Sequence, residues 1–109
     1  MGRKEALVKE LQQFAQHISK DYPLKKMILF GSQVTGKAGR DSDVDLILVS
    51  EKFRRQSILK RSPPLYLQWD LDYPVDFLCY TPEEFVKKKK HIGIVQQAVK
   101  EGIEITAQA

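Results

Sequence analysis

The chain has 109 residues, 42% hydrophobic and 29% charged, which suits one folded, water-soluble domain over residues 1–109 with a core that needs no disulfide or structural metal. Its net charge of +4, from 18 basic and 14 acidic residues, is compatible with a nucleic acid or a nucleotide as partner and selects neither. No apolar run nears the roughly 20 residues of a membrane span and no signal peptide opens the chain, so a cytoplasmic protein without a membrane partner is expected.

From Arg3 to Lys20, the residues Leu7, Leu11, Phe14 and Ile18 recur at helical spacing among Lys, Glu and Gln, which predicts an amphipathic helix. Asp21-Tyr22-Pro23 ends it. Lys26–Phe30 is an apolar run of strand length, stopped by Gly31. Ser32 to Ser42, with its glycines and small polar residues, predicts one short helical turn and then a loop. Asp43–Val49 predicts a second strand, buried beyond its acidic start, and the short link favours antiparallel pairing with the first. Between Ser50 and Asp72 the pattern is weakest. There Arg54, Arg55, Lys60 and Arg61 precede Pro63-Pro64, and a short helix ending at the prolines is expected. Val75–Tyr80 predicts a third strand. Thr81 as N-cap, Pro82 at the first helical position and Glu84 closing a capping box predict a helix through Lys90. Ile92–Lys100 continues in helical pattern, Gly102 stops it, and Ile103–Ile105 is placed as a last edge strand. The order predicts an α/β (α+β) fold, a small mixed sheet covered by helices. Cys79, the one cysteine, sits among apolar neighbours and is read as core packing.

Three acidic positions and a Gly-Ser pair carry the chemistry. Side chains alternate along a strand, so Asp43 and Asp45 share a face, about 7 Å apart along it. Carboxylates this close repel, and a bound cation, a raised pKa or strong solvation relieves them. A divalent metal ion is the economical answer; an acidic strand entrance exposed to water is the plain one. Asp76 is one carboxylate inside an otherwise apolar hexamer. Burying it unpaired is expensive, so a partner cation is expected, with an edge position or a salt bridge to an arginine as the alternatives. Upstream, the first strand runs into Gly31-Ser32. Glycine there lets the backbone approach a ligand, and Ser32 with the amides that follow can donate to phosphate oxygens.

Other features are read as structural. Asp70-Leu71-Asp72 repeats the acidic spacing but lies beside Tyr73-Pro74 in loop, so Asp76 is preferred as the third ligand. Trp69 and Tyr66 are read as core or interface rather than base-stacking residues. His17 and His91 have no second ligand at metal-like spacing, and Lys87–Lys90 wrap around a helix instead of lining one groove.

Together, LFGSQVTGKAGRDSDVDLILV and the later VDFL resemble the minimal nucleotidyltransferases of the DNA polymerase beta superfamily, whose pattern is a strand-end Gly-Ser, a gap of about ten residues, Asp-x-Asp and a later strand Asp. The resemblance implies the nucleotidyltransferase fold and a nucleoside triphosphate, with ATP the expected one, cradled by Gly31 and Ser32. It implies two Mg²⁺ ions, with Mn²⁺ as the alternative, held by Asp43, Asp45 and Asp76; Asp76 would also accept the proton of the incoming hydroxyl. The implied reaction is in-line attack on the α-phosphorus with pyrophosphate leaving, driven by positioning and charge neutralisation. The chain departs from the pattern just after Gly-Ser. Where many relatives carry arginines it has Gln33, Val34 and Thr35, which leaves Lys37 or Arg40 to supply positive charge.

Stand-alone domains of this kind typically accompany a helical HEPN toxin, a ribonuclease that they bind and modify on tyrosine. The resemblance therefore implies an antitoxin that adenylylates such a partner, in a homo- or hetero-oligomer. The departure at Gln33, Val34 and Thr35 motivates an alternative, a catalytically weak or inactive binding module that neutralises its partner by contact. A nucleic-acid binder using Arg54, Arg55 and the lysine run is the third and least favoured reading.

Overall fold

In the computed structural model, which describes residues 2–36 and 42–107, the helical spacing near the N-terminus does what its period dictates. Helix α1 (Arg3–Ile18) buries Leu7, Leu11, Phe14, Ala15 and Ile18 along one stripe and leaves its Lys and Glu residues in water. The stripe packs on a four-stranded sheet. Strands β1 (Leu24–Phe30) and β2 (Val44–Ser50) pair antiparallel, as expected from their short link. Strand β3 (Val75–Tyr80) lies parallel to β2, and the two-residue β4 (Ile103–Glu104) pairs antiparallel with β1 on its other side. The order β3-β2-β1-β4 makes this the expected mixed sheet.

Alternation along the central strands divides the core in two. Met27, Leu29, Val44, Leu46, Leu48, Phe77 and Cys79 face α1, while Ile28, Ile47 and Val49 face α5 (Pro82–Lys89) and α6 (Ile94–Glu101). Because both faces are covered, β2 is apolar at nearly every position and buried from Leu46 to Ser50. Cys79 is part of the α1-side core, and burial pushes its thiol up to about 12.

A parallel pair needs a crossover. Residues 51–74 supply it, through a 3₁₀ turn (Glu51–Phe53), α3 (Ile58–Arg61) and α4 (Pro63–Gln68). Here the expectation of one helix ending at the prolines is corrected. Pro63 and Pro64 begin α4 instead, where a missing N–H costs nothing because the first turn has no intrahelical acceptor for it. The crossover also closes the open edge of β3. The Tyr66 hydroxyl accepts from the Phe77 N–H at 3.3 Å, and the Arg61 guanidinium donates to the Cys79 carbonyl at 3.1 Å, so outward backbone groups of β3 are satisfied from α3 and α4.

The start of α5 follows its sequence signal. The Thr81 hydroxyl accepts from the Glu84 N–H, and the Glu84 carboxylate accepts from the Thr81 N–H. Gly102 ends α6, as expected. Its φ of −77° is open to any residue, but a Cβ there would lie 2.7 Å from Ile28 Cγ2 and 2.8 Å from the Leu29 carbonyl. The glycine is a matter of room, not of handedness. Among the described residues no helix is long and apolar enough to cross a membrane.

Candidate active site

One end of the sheet gathers the chemistry. The C-terminal end of β1 and the N-terminal ends of β2 and β3 lie together there, because β1 runs against both. Asp45 and Asp76 occupy the same rung of the parallel β2–β3 ladder, and Phe30 faces Asp45 from β1. Adjacent strands are about 4.8 Å apart, so two carboxylates leave neighbouring backbones on one face, the face that α5 and α6 cover lower down. The Val44 N–H donates to the Pro74 carbonyl at 2.8 Å and pins this register at the mouth of the site. Asp43 is exposed and precedes the ladder, which starts at Val44, one residue later than expected.

Asp45 is half-buried, and its carboxyl is held above the usual carboxylate range, first by desolvation, then by the charge of Asp76, then by that of Asp43. The charges of the other two acids therefore both reach Asp45. Asp76 differs from its expected setting, since it is exposed and β3 is an edge strand. The edge position offered as its plain alternative is the one found, and burial gives Asp76 no need of a counter-charge. The need falls on Asp45.

Gly31 closes the site from the β1 side. Its φ of +82° and ψ of −153° lie in a region that essentially only glycine enters, and a Cβ built there would run into Asp45 Oδ2. The carbonyl of Gly31 accepts from the N–H groups of Val34 and Thr35 at 3.0 and 3.2 Å, closing the single turn α2 (Ser32–Thr35), with Ser32 half-buried at its start. A cleft of about 190 Å³ opens beside Gly31, between Phe30, Val34 and Thr35 on one side and Ile94 and Gln97 of α6 on the other.

The residues that follow Gly-Ser turn inward. Gln33 is buried, and its Nε2 donates to the Ser42 carbonyl at 2.9 Å. Val34 packs against the α1-side core, and its carbonyl accepts from Lys4 Nζ at 3.1 Å. This contact of Gln33 has no counterpart in the sequence reading, where the residue counted only as a departure. Lys37 and Arg40 lie outside the described residues.

Among the described residues, no group of three or more His, Cys, Asp or Glu side chains is arranged to hold a metal ion unaided. The donor chemistry nevertheless fits one. Carboxylate oxygens are the hard ligands that Mg²⁺ and Mn²⁺ take, and Mg²⁺ is usually held by one or two carboxylates plus substrate phosphates, not by an all-protein cage. The crowding of negative charge at Asp45 is the observation that favours this, since a cation beside it offsets the repulsion.

Elsewhere, the second acidic pair stands apart from the first. Asp70 lines a cleft with Glu10 and His17 of α1, on the opposite face of the sheet, and Asp72 is exposed. Trp69 packs against the α1-side core edge-on to Phe14, with its Nε1 donating to the Tyr73 carbonyl at 2.7 Å. His91 is exposed near Lys88 and Tyr80. Part of the basic middle segment is occupied internally, because Arg54 pairs with Glu51 and Glu83 and Arg61 pairs with Glu84.

This sheet order has a solved counterpart. A protein from Sulfolobus solfataricus, described as a candidate nucleotidyltransferase, superposes with a TM-score of 0.65 over 93% of this chain and 80% of its own, at 17% sequence identity. The likeness at that identity shows a shared fold, the nucleotidyltransferase fold. No curated protein sequence matches the chain. The family described as "Nucleotidyltransferase domain" matches residues 11–105, so the chain belongs to that family. Transfer of a nucleotidyl group from a nucleoside triphosphate is the activity of the class, and its domains generally use divalent metal ions.

Proposed function

We propose that residues 1–109 form one metal-dependent nucleotidyltransferase domain that transfers AMP from ATP to a tyrosine hydroxyl of a partner HEPN toxin, acting as its cytoplasmic antitoxin. The observation that carries the transfer chemistry is the shared rung of Asp45 and Asp76, with Gly31 against Asp45. The choice of ATP and of a toxin tyrosine rests on the resemblance to minimal nucleotidyltransferases.

In this reading Gly31, having no Cβ, lets the triphosphate come close to Asp45, and Ser32 donates to its oxygens. Asp43, Asp45 and Asp76 are the residues that would hold two Mg²⁺ or Mn²⁺ ions. Bound there, the ions supply neutralisation of the phosphate charge and acidification of the acceptor hydroxyl. Asp76, exposed on the edge strand, is open to an acceptor arriving from solvent. Its carboxylate takes the hydroxyl proton as the acceptor oxygen bonds to the α-phosphorus and the bond to pyrophosphate breaks.

The test is transfer of label from α-labelled ATP to the protein encoded beside this one. Wild type is expected to label it, and Asp76→Asn to lower the rate by about 10²–10⁴-fold, the usual range for a lost general base. Retention of full activity in folded Asp45→Asn and Asp76→Asn variants would falsify the site. A second reading, neutralisation by contact without turnover, is favoured by Gln33 and Val34, which are neutral and turn inward, so that neither brings positive charge to the phosphates. It requires a wild type that transfers nothing and an Asp43→Ala/Asp45→Ala variant that still neutralises.

A further inference from the structure

Among the described residues four polar or charged side chains are buried, Gln33, Ser50, Arg61 and Thr81. Three have duties away from the site. Ser50 bonds Pro23 and Lys52 at the far end of β2, while Arg61 and Thr81 belong to the network around the start of α5. Gln33 is the one at the site. It directly follows Gly31-Ser32, and the carbonyl to which it donates, that of Ser42, directly precedes Asp43. One neutral hydrogen bond of 2.9 Å thus ties the glycine turn to the entrance of the acidic strand. Because Gln33 is buried, losing this bond would leave its amide unsatisfied, so the contact holds the turn and the Ser42 carbonyl together.

We propose that Gln33 is a positioning residue that sets the separation between Gly31-Ser32 and the Asp43/Asp45 carboxylates, so that one metal-bound nucleotide meets both halves of the site together. The proposal rests on the nucleotidyl transfer put forward above. Gln33 brings no charge and touches no reacting atom; it acts through the Ser42 carbonyl. A tie of this kind matters to a ligand that spans the two halves and not to one that touches a single half. Free Mn²⁺ meets the carboxylates alone. The Mn²⁺ complex of a non-transferable ATP analogue, with carbon bridging the α- and β-phosphorus, meets carboxylates and turn at once.

Affinities for these two probes are measured on wild type, on Gln33→Met, which keeps the length and loses the donor, and on Gln33→Asn, which is one methylene too short. Each protein is kept well below its own melting temperature. Both variants are expected to bind the Mn²⁺–nucleotide complex about 10- to 100-fold more weakly while free Mn²⁺ affinity moves by less than about twofold, the scale of effect of residues that orient ligands from behind. Unchanged binding of the complex in a folded variant, with only a lower melting temperature, would make Gln33 a structural residue and overturn the proposal. Equal weakening of free Mn²⁺ would also overturn it, because the residue would then act on the carboxylates alone. Should one variant fail to fold, the other decides. A wild type that binds no Mn²⁺–nucleotide complex refutes the nucleotidyl transfer and this role with it, an outcome recognisable because it needs no variant.

Discussion

Asp45 carries a carboxylate that the fold half-buries beside two others, and its carboxyl is raised by burial, by Asp76 and by Asp43 in that order. A raised acid destabilises the native state whenever it is ionised. The cost grows as pH rises from the unfolded-state value and is complete above the folded-state value; it is relieved as pH falls back through that range. Asp45→Asn should therefore melt a few degrees above wild type at neutral pH without metal, with the gain shrinking toward about pH 4, near the ordinary carboxylate value. Thermal unfolding across that range checks it, and added Mn²⁺ should raise the melting temperature of wild type and not of the variant. The three aspartates were singled out because Asp43 and Asp45 stand two residues apart at a strand entrance and because a carboxylate in an apolar hexamer stands out. Gly31 was legible as a place of close approach, though not that the approaching group is the Asp45 side chain. Gln33 was not legible, because a four-residue turn has no period from which the direction of a side chain can be read.

At the level of elements, the crossover and α5 are joined by one guanidinium. Arg61 donates to the Gln56 carbonyl at 3.0 Å, to the Cys79 carbonyl at 3.1 Å and to both oxygens of Glu84 at 2.6 and 3.2 Å, and Glu84 also caps α5. The bond to Arg61 is the leading cause that holds the Glu84 carboxyl below its usual range. The sign is opposite to that of Asp45. This contribution to stability is present above the unfolded-state value and is lost as pH falls through the lowered folded one. Arg61→Met should cost about 3 kcal/mol, the low end for breaking a buried pair, since Glu84 keeps partial contact with water. Denaturant unfolding should show that loss and a flatter acid limb than wild type. Sequence signals for α1 and for the capping box of α5 were strong, and those elements lie where they were placed. The crossover was obscure because helices of four and six residues are too short for periodicity, and nothing in the basic group Arg54, Arg55, Lys60 and Arg61 marks Arg61 as the buried one.

For the molecule as a whole, the antiparallel β1–β2 pair and the mixed sheet followed from link lengths and strand composition. The rung that brings Asp45 beside Asp76 did not, because register between strands far apart in sequence is decided by packing on both faces. That rung also bears on how the protein is made in time. A parallel pair cannot zip from a hairpin; β3 must wait for residues 51–74 to fold back, so the two like charges meet only after most of the chain is in place. Their repulsion then belongs to the last step and is largely absent from the barrier before it. Refolding and unfolding rates should show this, with Asp45→Asn slowing unfolding and leaving refolding nearly untouched. Cys79, opposite Leu48 on the same ladder and unreactive once buried, offers the clock, since pulsed thiol labelling during refolding records the moment at which β3 docks.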